Sequence, residues 1–317
     1  YNFMTTSIAI CTYNGEKFLR EQLDSIFAQT IAVDEIVICD DGSTDETLKI
    51  LAEYQIRFPE ILKIYQNETN LGFSKNFEKA IYLCTKDIII TSDQDDIWKK
   101  NKIEETLNFF TQNPDFEAVF NDLEIVDEQL KTLEPSYLNW KNFSYDFISK
   151  EIKNRHLFVP LVMQGSYVLG CAIEIKKDAL QKYQLKDFEV AHDYFIAQKL
   201  TFKNKLGFIP KTLSFYRQHE SQVCGLKYVS ENKTTNNKKT VQTERFKKLV
   251  YPYLYTVNKA KELFPKENIE ETELYARFLE NRNRYLKSLS FFQRKKYIAQ
   301  CIRHQYLDLK TVDFFTI

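Results

Sequence analysis

The chain has 317 residues, with 44 Lys+Arg against 44 Asp+Glu and therefore no formal net charge. That length allows one large domain or a main domain with a smaller one, and the charge balance argues against a dedicated nucleic-acid binder, which carries a basic excess. At 44% apolar and 28% charged residues the composition excludes wholesale disorder.

The first third alternates strand and helix signals. Residues Ser7 to Thr12 form a short β-rich run, and Leu19, Leu23, Ile26 and Phe27 then recur at the spacing of an amphipathic helix. Glu35 to Cys39 reads as a second strand, ending at Asp40-Asp41-Gly42. Ser43 and Glu46 are spaced as a capping box for a helix that turns Leu48, Leu51 and Ala52 inward. Leu62 to Gln66 is a third strand, Phe77, Ala80, Ile81 and Cys84 mark a helix, and Asp87 to Thr91 is a fourth strand running into Ser92-Asp-Gln-Asp-Asp96. Ile103, Leu107 and Phe110 make a further helical face. This order predicts an α/β fold with a doubly wound, mostly parallel sheet. Ligands of such sheets bind beyond the carboxyl ends of the strands. The loops at residues 12–14, 40–41 and 93–96 are therefore expected to line one crevice.

The middle is less regular. Ala118 to Asn121 is a strand, 133–153 an irregular aromatic-rich stretch, Ser166 to Ile175 a strand, Asp193 to Leu200 a helix and Gly207 to Tyr216 extended. The expected domains are a main α/β domain over 1–226, a polar linker over 227–243 and a basic helical region over 244–317. Residues 241–317 hold 15 Lys+Arg and 9 Asp+Glu, which leaves the first 240 acidic.

The seven glycines exclude several chemistries. None forms G-x-G, a P-loop or a G-x-S-x-G elbow, so dinucleotide, P-loop nucleotide and elbow-type hydrolase readings fall away. The six cysteines contain no C-x-x-C, which argues against zinc and disulfide frameworks and points to a reduced, cytoplasmic compartment. Met4 reads as a natural start, and nothing near it reads as a signal peptide.

Asp93, Asp95 and Asp96 cluster at a strand end, where hard oxygen ligands suit Mg²⁺ or Mn²⁺. The competing reading is a solvated acidic turn capping a helix that begins near Trp98. The preceding apolar strand and the second acid pair at Asp40-Asp41 favour a site.

These segments resemble a known family. Ser7-Ile-Ala-Ile-Cys-Thr-Tyr-Asn-Gly-Glu16, Ile36-Val-Ile-Cys-Asp-Asp-Gly-Ser-Thr-Asp45, Asn70-Leu-Gly-Phe73 and Ser92-Asp-Gln-Asp-Asp-Ile-Trp98 are similar to the motifs of family 2 glycosyltransferases. Ala191-His-Asp-Tyr194 and Tyr216-Arg-Gln-His219 resemble elements of a rhamnosyltransferase-like subgroup, although Cys11 stands where the family often has proline and Tyr194 where the subgroup often has tryptophan. The resemblance implies a GT-A fold, a nucleoside-diphosphate sugar donor (dTDP- or UDP-linked), a Mn²⁺ or Mg²⁺ ion and inversion at the anomeric carbon. It implies that Thr12, Tyr13 and Glu16 frame the nucleotide. It implies that Asp41, or else Asp40, accepts from the base, that Asp93 meets the ribose and that Asp95 ligates the metal. Asp193 is the implied general base, its rival reading being a helix N-cap. Arg217 is a candidate clamp on the diphosphate and His219 a candidate third metal ligand. His192 is expected to orient Asp193.

The expected activity is sugar transfer to a glycan or lipid-linked acceptor, in bacterial surface polysaccharide synthesis as the subgroup resemblance implies. The alternatives are a catalytically inactive nucleotide- or glycan-binding module and, more weakly, a sugar-phosphate nucleotidyltransferase. Residues 282–310 carry eight Lys+Arg and one Asp around an apolar stripe. Such a helix either lies on anionic membrane at the inner face of the plasma membrane, or packs on the core or at a homodimer contact.

Overall fold

Alternation in the first third is realised as expected. The computed structural model describes residues 4–141, 143–154, 167–186, 188, 191–220, 222, 228 and 290. In it β1 (Thr6–Thr12), α1 (Leu19–Phe27), β2 (Glu35–Asp40), α2 (Thr47–Arg57), β3 (Leu62–Gln66), α3 (Phe73–Leu83) and β4 (Ile88–Ser92) follow in order. β1 pairs in parallel with β2 and β4, and β2 with β3. All six residues of β2 are buried, as a parallel strand covered on both faces requires. Side chains alternate along a strand. Ile8, Ile10, Ile36, Ile38, Ile88 and Ile90 therefore share one face, where they join Leu19, Leu23 and Ile26 of α1 and Ile50 and Leu51 of α2 in one core cluster. Phe77, Ala80 and Ile81 of α3 are buried outside that cluster, on the opposite face.

The second half is mixed. β5 (Ile97–Trp98), α4 (Lys102–Gln112), β6 (Ala118–Val126), β7 (Thr132–Glu134), α5 (Tyr137–Trp140) and α6 (Tyr145–Asn154) lead to β8 (Ile173–Lys176), α7 (Ala179–Lys182), α8 (His192–Phe202) and β9 (Leu206–Arg217). The sheet runs β3-β2-β1-β4-β8-β6-β9-β5, with β7 beside β6. β8 is antiparallel to both its neighbours, and β9 is parallel to β6.

Four local expectations are corrected. Ser43 and Glu46 form no capping box. The Ser43 hydroxyl instead donates to Asp40 at 2.5 Å, and α2 begins beyond Glu46 without a side-chain cap. The acids at 93–96 cap no helix, because β5 follows them and α4 starts only at Lys102. The stretch 133–153 holds two helices, α5 being capped by Ser136, whose oxygen accepts from the Asn139 N–H at 3.1 Å. The strand expected from Ser166 shortens to Ile173–Lys176, preceded by a 3₁₀ turn at Gly170–Ala172. That turn is held by the Ile173 carbonyl, which accepts from the Thr91 hydroxyl at 2.8 Å.

The chain divides into two units, Tyr1–Phe158 with Ser166–Glu231, and Val159–Gly165 with Asn232–Ile317. All described residues except Ser290 belong to the first. The polar linker expected over 227–243, the helical region over 244–317 and its basic stripe at 282–310 lie outside the described residues, Tyr228 and Ser290 apart.

One buried carboxylate anchors the amino-terminal edge of the parallel strands. Glu35 is 1% exposed and accepts from Ser7 Oγ, from Lys63 Nζ at 2.5 Å, and from the Thr85 N–H and hydroxyl at 2.7 and 2.9 Å. Burial alone would raise its pKa, but the bonds from Lys63, Ser7 and Thr85 outweigh it and hold it at about 2. The unfolded side chain titrates near ~4.3. Its contribution to stability is therefore complete above that range and is lost as pH falls through about 2. Glu35→Gln is expected to lower stability at pH 7 by about 1–3 kcal/mol, the usual cost of a broken charged hydrogen-bond set. Urea melts of the two proteins should converge as the buffer is taken towards pH 2.

Candidate active site

The loops leaving β1, β2 and β4 converge on a cavity of about 680 Å³, lined among others by Thr12, Tyr13, Asp41, Asp93, Gln94 and Asp95. The second half of the chain supplies further lining, with Gly170 and Cys171 of the 3₁₀ turn, His192 and Asp193 of α8 and Tyr216 of β9.

Geometry separates the two acids after β2. Asp40 is fully buried, and its carboxylate accepts from the Thr12 hydroxyl at 2.8 Å, the Ser43 hydroxyl at 2.5 Å and the Gly42 and Ser43 N–H groups at 3.2 and 3.0 Å. A carboxylate has about four acceptor positions, so Asp40 is saturated and shapes the turn. Asp41 faces the cavity. It accepts from Asn67 Nδ2 at 2.7 Å, Leu71 N–H at 2.8 Å and Gly72 N–H at 2.9 Å, which leaves about one position open. Gly72 presents that N–H from a backbone with φ 77°, which glycine adopts without strain.

The acidic loop is ordered from behind. Asp95 Oδ2 lies 2.8 Å from His219 Nε2, and the His219 ring packs 4.6 Å from the Phe18 ring. Asp96 is buried, accepts from the Arg217 N–H at 3.3 Å through Oδ1, and has no hydrogen-bond partner for Oδ2 among the described residues. Burial and then the Asp95 charge push the Asp96 pKa to about 7. Asp93 is raised by burial and by the charges of Asp96, Asp95 and Asp193. Four carboxylates thus crowd one cavity and a partly buried cation is the natural counterweight. Asp95 offers a carboxylate oxygen of the kind that Mn²⁺ or Mg²⁺ takes, with the His219 imidazole 2.8 Å from it. Behind the loop, fully buried Lys102 donates to the Cys171 carbonyl at 2.8 Å and pairs with Glu174 at 3.5 Å.

Asp193 stands in the first turn of α8, one residue after His192. The N-cap is Ala191, so the capping role weighed for Asp193 is not taken at that position. Its Oδ1 accepts from the next N–H, of Tyr194, at 2.7 Å. Burial raises its pKa against the opposing effects of His192 and the Tyr194 N–H. The residue is only 9% exposed, so burial is the larger effect. His192 stacks on Phe77 at 4.2 Å, and its Nε2 lies 3.1 Å from the Gly170 carbonyl oxygen, which fixes the ring next to Asp193.

Three candidates are not among the residues that line the cavity, namely Glu16, Arg217 and His219, the last of which touches the lining residue Asp95. Glu16 is exposed, and its carboxylate accepts from the Glu46 N–H at 2.8 Å at the start of α2. Arg217 is only 2% exposed. It donates to the Asp95 and Glu128 carbonyls at 3.0 and 2.8 Å, pairs with Glu21, and lies 4.4 Å from the Phe18 ring centre. Its donors are committed to holding the acidic loop rather than pointing at a diphosphate. Sequence reasoning missed Gln94, Phe18 and Lys102. Only Gln94 carried a signal, its place between two site acids. Phe18 and Lys102 read as ordinary helix-flanking residues.

With this geometry in place, residues 7–165 match the model of the family described as Glycosyl transferase family 2. A dTDP-rhamnosyl transferase, RfbG, of Shigella flexneri is 32% identical over 223 residues, covering 68% of this chain and 73% of that protein. An uncharacterized glycosyltransferase of Haemophilus influenzae is 27% identical, covering 74% and 71%. Among solved structures, S. aureus TarS 1–349 in complex with UDP-GlcNAc superimposes with a TM-score of 0.56 at 19% identity, covering 95% of this chain and 80% of that one. The mannosyltransferase PcManGT of Pyrobaculum calidifontis, in complex with GDP-Man and Mn²⁺, gives 0.57 at 16% identity, covering 96% and 81%. The likeness to these two is one of fold, the GT-A arrangement of a curled, mostly parallel sheet.

Proposed function

The chain belongs to glycosyl transferase family 2, and on that premise we propose that it is a metal-dependent inverting enzyme. It moves a sugar from a nucleoside diphosphate to a hydroxyl of a glycan or lipid-linked acceptor, in bacterial surface polysaccharide synthesis. The observation that carries this reading is that Asp41, Asp95 and Asp193, from three distant parts of the chain, line one cavity.

Asp41 keeps its open acceptor position for the N3–H of a uracil or thymine base. Thr12 and Tyr13 frame the nucleotide, and Asp93 takes the ribose hydroxyls. Asp95 and His219 hold Mn²⁺ or Mg²⁺, which when bound neutralises the diphosphate in the ground state and as it leaves. Asp193 removes the proton of the acceptor hydroxyl as that oxygen bonds to C1. The C1–O bond to the β-phosphate breaks on the opposite face, its electron pair leaves with the nucleoside diphosphate, and the anomeric centre inverts. Arg217 acts through Asp95, by fixing its backbone, and Glu16 acts through the start of α2.

The donor is dTDP-rhamnose or a UDP-hexose, the first supported by the name of the Shigella relative. The catalytic domain covers 1–226, and 227–243 links it to a basic region at 244–317. We place the enzyme in the cytoplasm. Among the described residues no helix is long and apolar enough to cross a membrane. A screen of nucleotide-sugar donors for nucleotide release with Mn²⁺ tests the proposal. Release from one donor class supports transfer. Metal-dependent nucleotide binding without release from any donor would instead favour an inactive binding module.

A further inference from the structure

We propose that Gln94 is a positioning residue that couples nucleotide binding to metal binding, by tying the loop after β1 to the acidic loop after β4. The inference rests on the proposed function, in that it takes the cavity to hold a nucleotide and a metal.

Thr12 and Tyr13 of the first loop line the cavity, as do Asp93, Gln94 and Asp95 of the second. Their parent strands are neighbours, but the loops leave the sheet and lose its hydrogen-bond ladder, which ends at Ile10 opposite Ser92. Among the described residues, the hydrogen bonds that rejoin them are both made by Gln94. Its Oε1 accepts from the Tyr13 N–H at 2.9 Å, and its Nε2 donates to the Tyr13 carbonyl at 3.1 Å. One primary amide thus satisfies both main-chain groups of Tyr13, as a neighbouring strand would. A carboxylate cannot do this, because it only accepts. Gln94 also stands between Asp93 and Asp95, so any shift of the acidic loop on metal binding is passed to Tyr13, which is itself 40% exposed at the cavity wall.

Gly15 supplies an independent observation. Its φ is not positive, so its backbone does not demand glycine. What demands it is space. A Cβ at Gly15 would lie 2.3 Å from Gln94 Oε1 and 2.6 Å from Gln94 Cδ. The crowding atoms are the far end of a flexible side chain, so an alanine there would displace the amide without disturbing the core. Gly15 and Gln94 are therefore two halves of one device, and each can be broken separately.

Calorimetry with UDP and with dTDP, with and without Mn²⁺, tests this on wild type, Gln94→Ala, Gln94→Glu, Gly15→Ala and the Gly15→Ala/Gln94→Ala double variant. In wild type Mn²⁺ should tighten nucleotide binding. In each variant that gain should shrink by about tenfold, equal to about 1.4 kcal/mol, with melting temperature unchanged and any loss of metal-free affinity smaller than the loss with Mn²⁺. The double variant should match the singles, because both remove the same contact. Gln94→Glu should behave like alanine although it fills the same space. A metal response equal to wild type in Gln94→Ala, or additive losses in the double variant, would overturn the coupling while leaving the proposed function intact. Failure of wild type to bind either nucleotide would instead sink the functional reading, and this inference with it.

Discussion

Asp193→Asn is expected to lower the rate of sugar transfer by roughly 10²–10⁴, the usual worth of a general base. The acceptor hydroxyl is a poor nucleophile while protonated, and the amide cannot take its proton. Donor affinity should hold, because Asp193 comes from α8 and not from the β1, β2 and β4 loops assigned to the nucleotide. Melting temperature should hold or rise slightly. The asparagine oxygen can still accept from the Tyr194 N–H. The buried carboxylate, whose pKa is raised, is less favourable when ionised in the folded chain than in the unfolded one. At neutral pH its removal therefore relieves a cost rather than removing a support. The same shift has a kinetic sign. Asp193 must be ionised to act, so the acidic limb of the pH–rate profile should lie above the ordinary carboxylate range. That limb should disappear in the asparagine variant. Near-normal transfer by Asp193→Asn would remove the residue from the mechanism.

Asp95→Ala should abolish metal-dependent donor binding. Loss of a residue that merely supports a metal ligand costs about 10–100-fold, and the proposed function makes Asp95 a direct ligand, so nucleotide affinity in Mn²⁺ should fall by at least about 100-fold. Calorimetry with UDP or dTDP plus Mn²⁺ measures this. The rise in melting temperature that Mn²⁺ plus nucleotide produces should also vanish, since a ligand stabilises only the state that binds it. Unchanged affinity would mean that Asp95 serves only as the partner of His219, 2.8 Å away.

The two variants separate the halves of the site. Asp95 lies at the end of the parallel strands and Asp193 at the start of α8, nearly a hundred residues later in sequence. One should lose binding and keep its base, the other should bind normally and fail in transfer. An intact cavity without catalysis would not divide in this way.

Local pattern was enough to read the first half of the molecule. The continuous apolar runs of β1 and β2 and the period-3.6 spacing in α1 are properties of single stretches of chain, so Ile8, Ile10, Leu19, Leu23 and Ile26 could be assigned to the core from the sequence alone. Convergence of the loops at 12–14, 40–41 and 93–96 was legible for the same reason, since parallel strands joined by helices must end on one side. Tertiary structure decided what each polar side chain does there. Asp40 and Asp41 are adjacent and identical in type, and only the neighbours brought to them by β1, the turn after β2 and the loop between β3 and α3 saturate one and leave the other facing the cavity. Arg217 looked like an anion clamp until Glu21, Phe18 and the Asp95 and Glu128 carbonyls, all distant in sequence, took up its guanidinium. Ser43 was drawn from its helix cap by a buried carboxylate three residues back. Hydrophobic periodicity is a property of a segment and survives in the sequence. A hydrogen-bond partner is a property of position in space, and a polar group takes the best donor or acceptor that folding brings within reach.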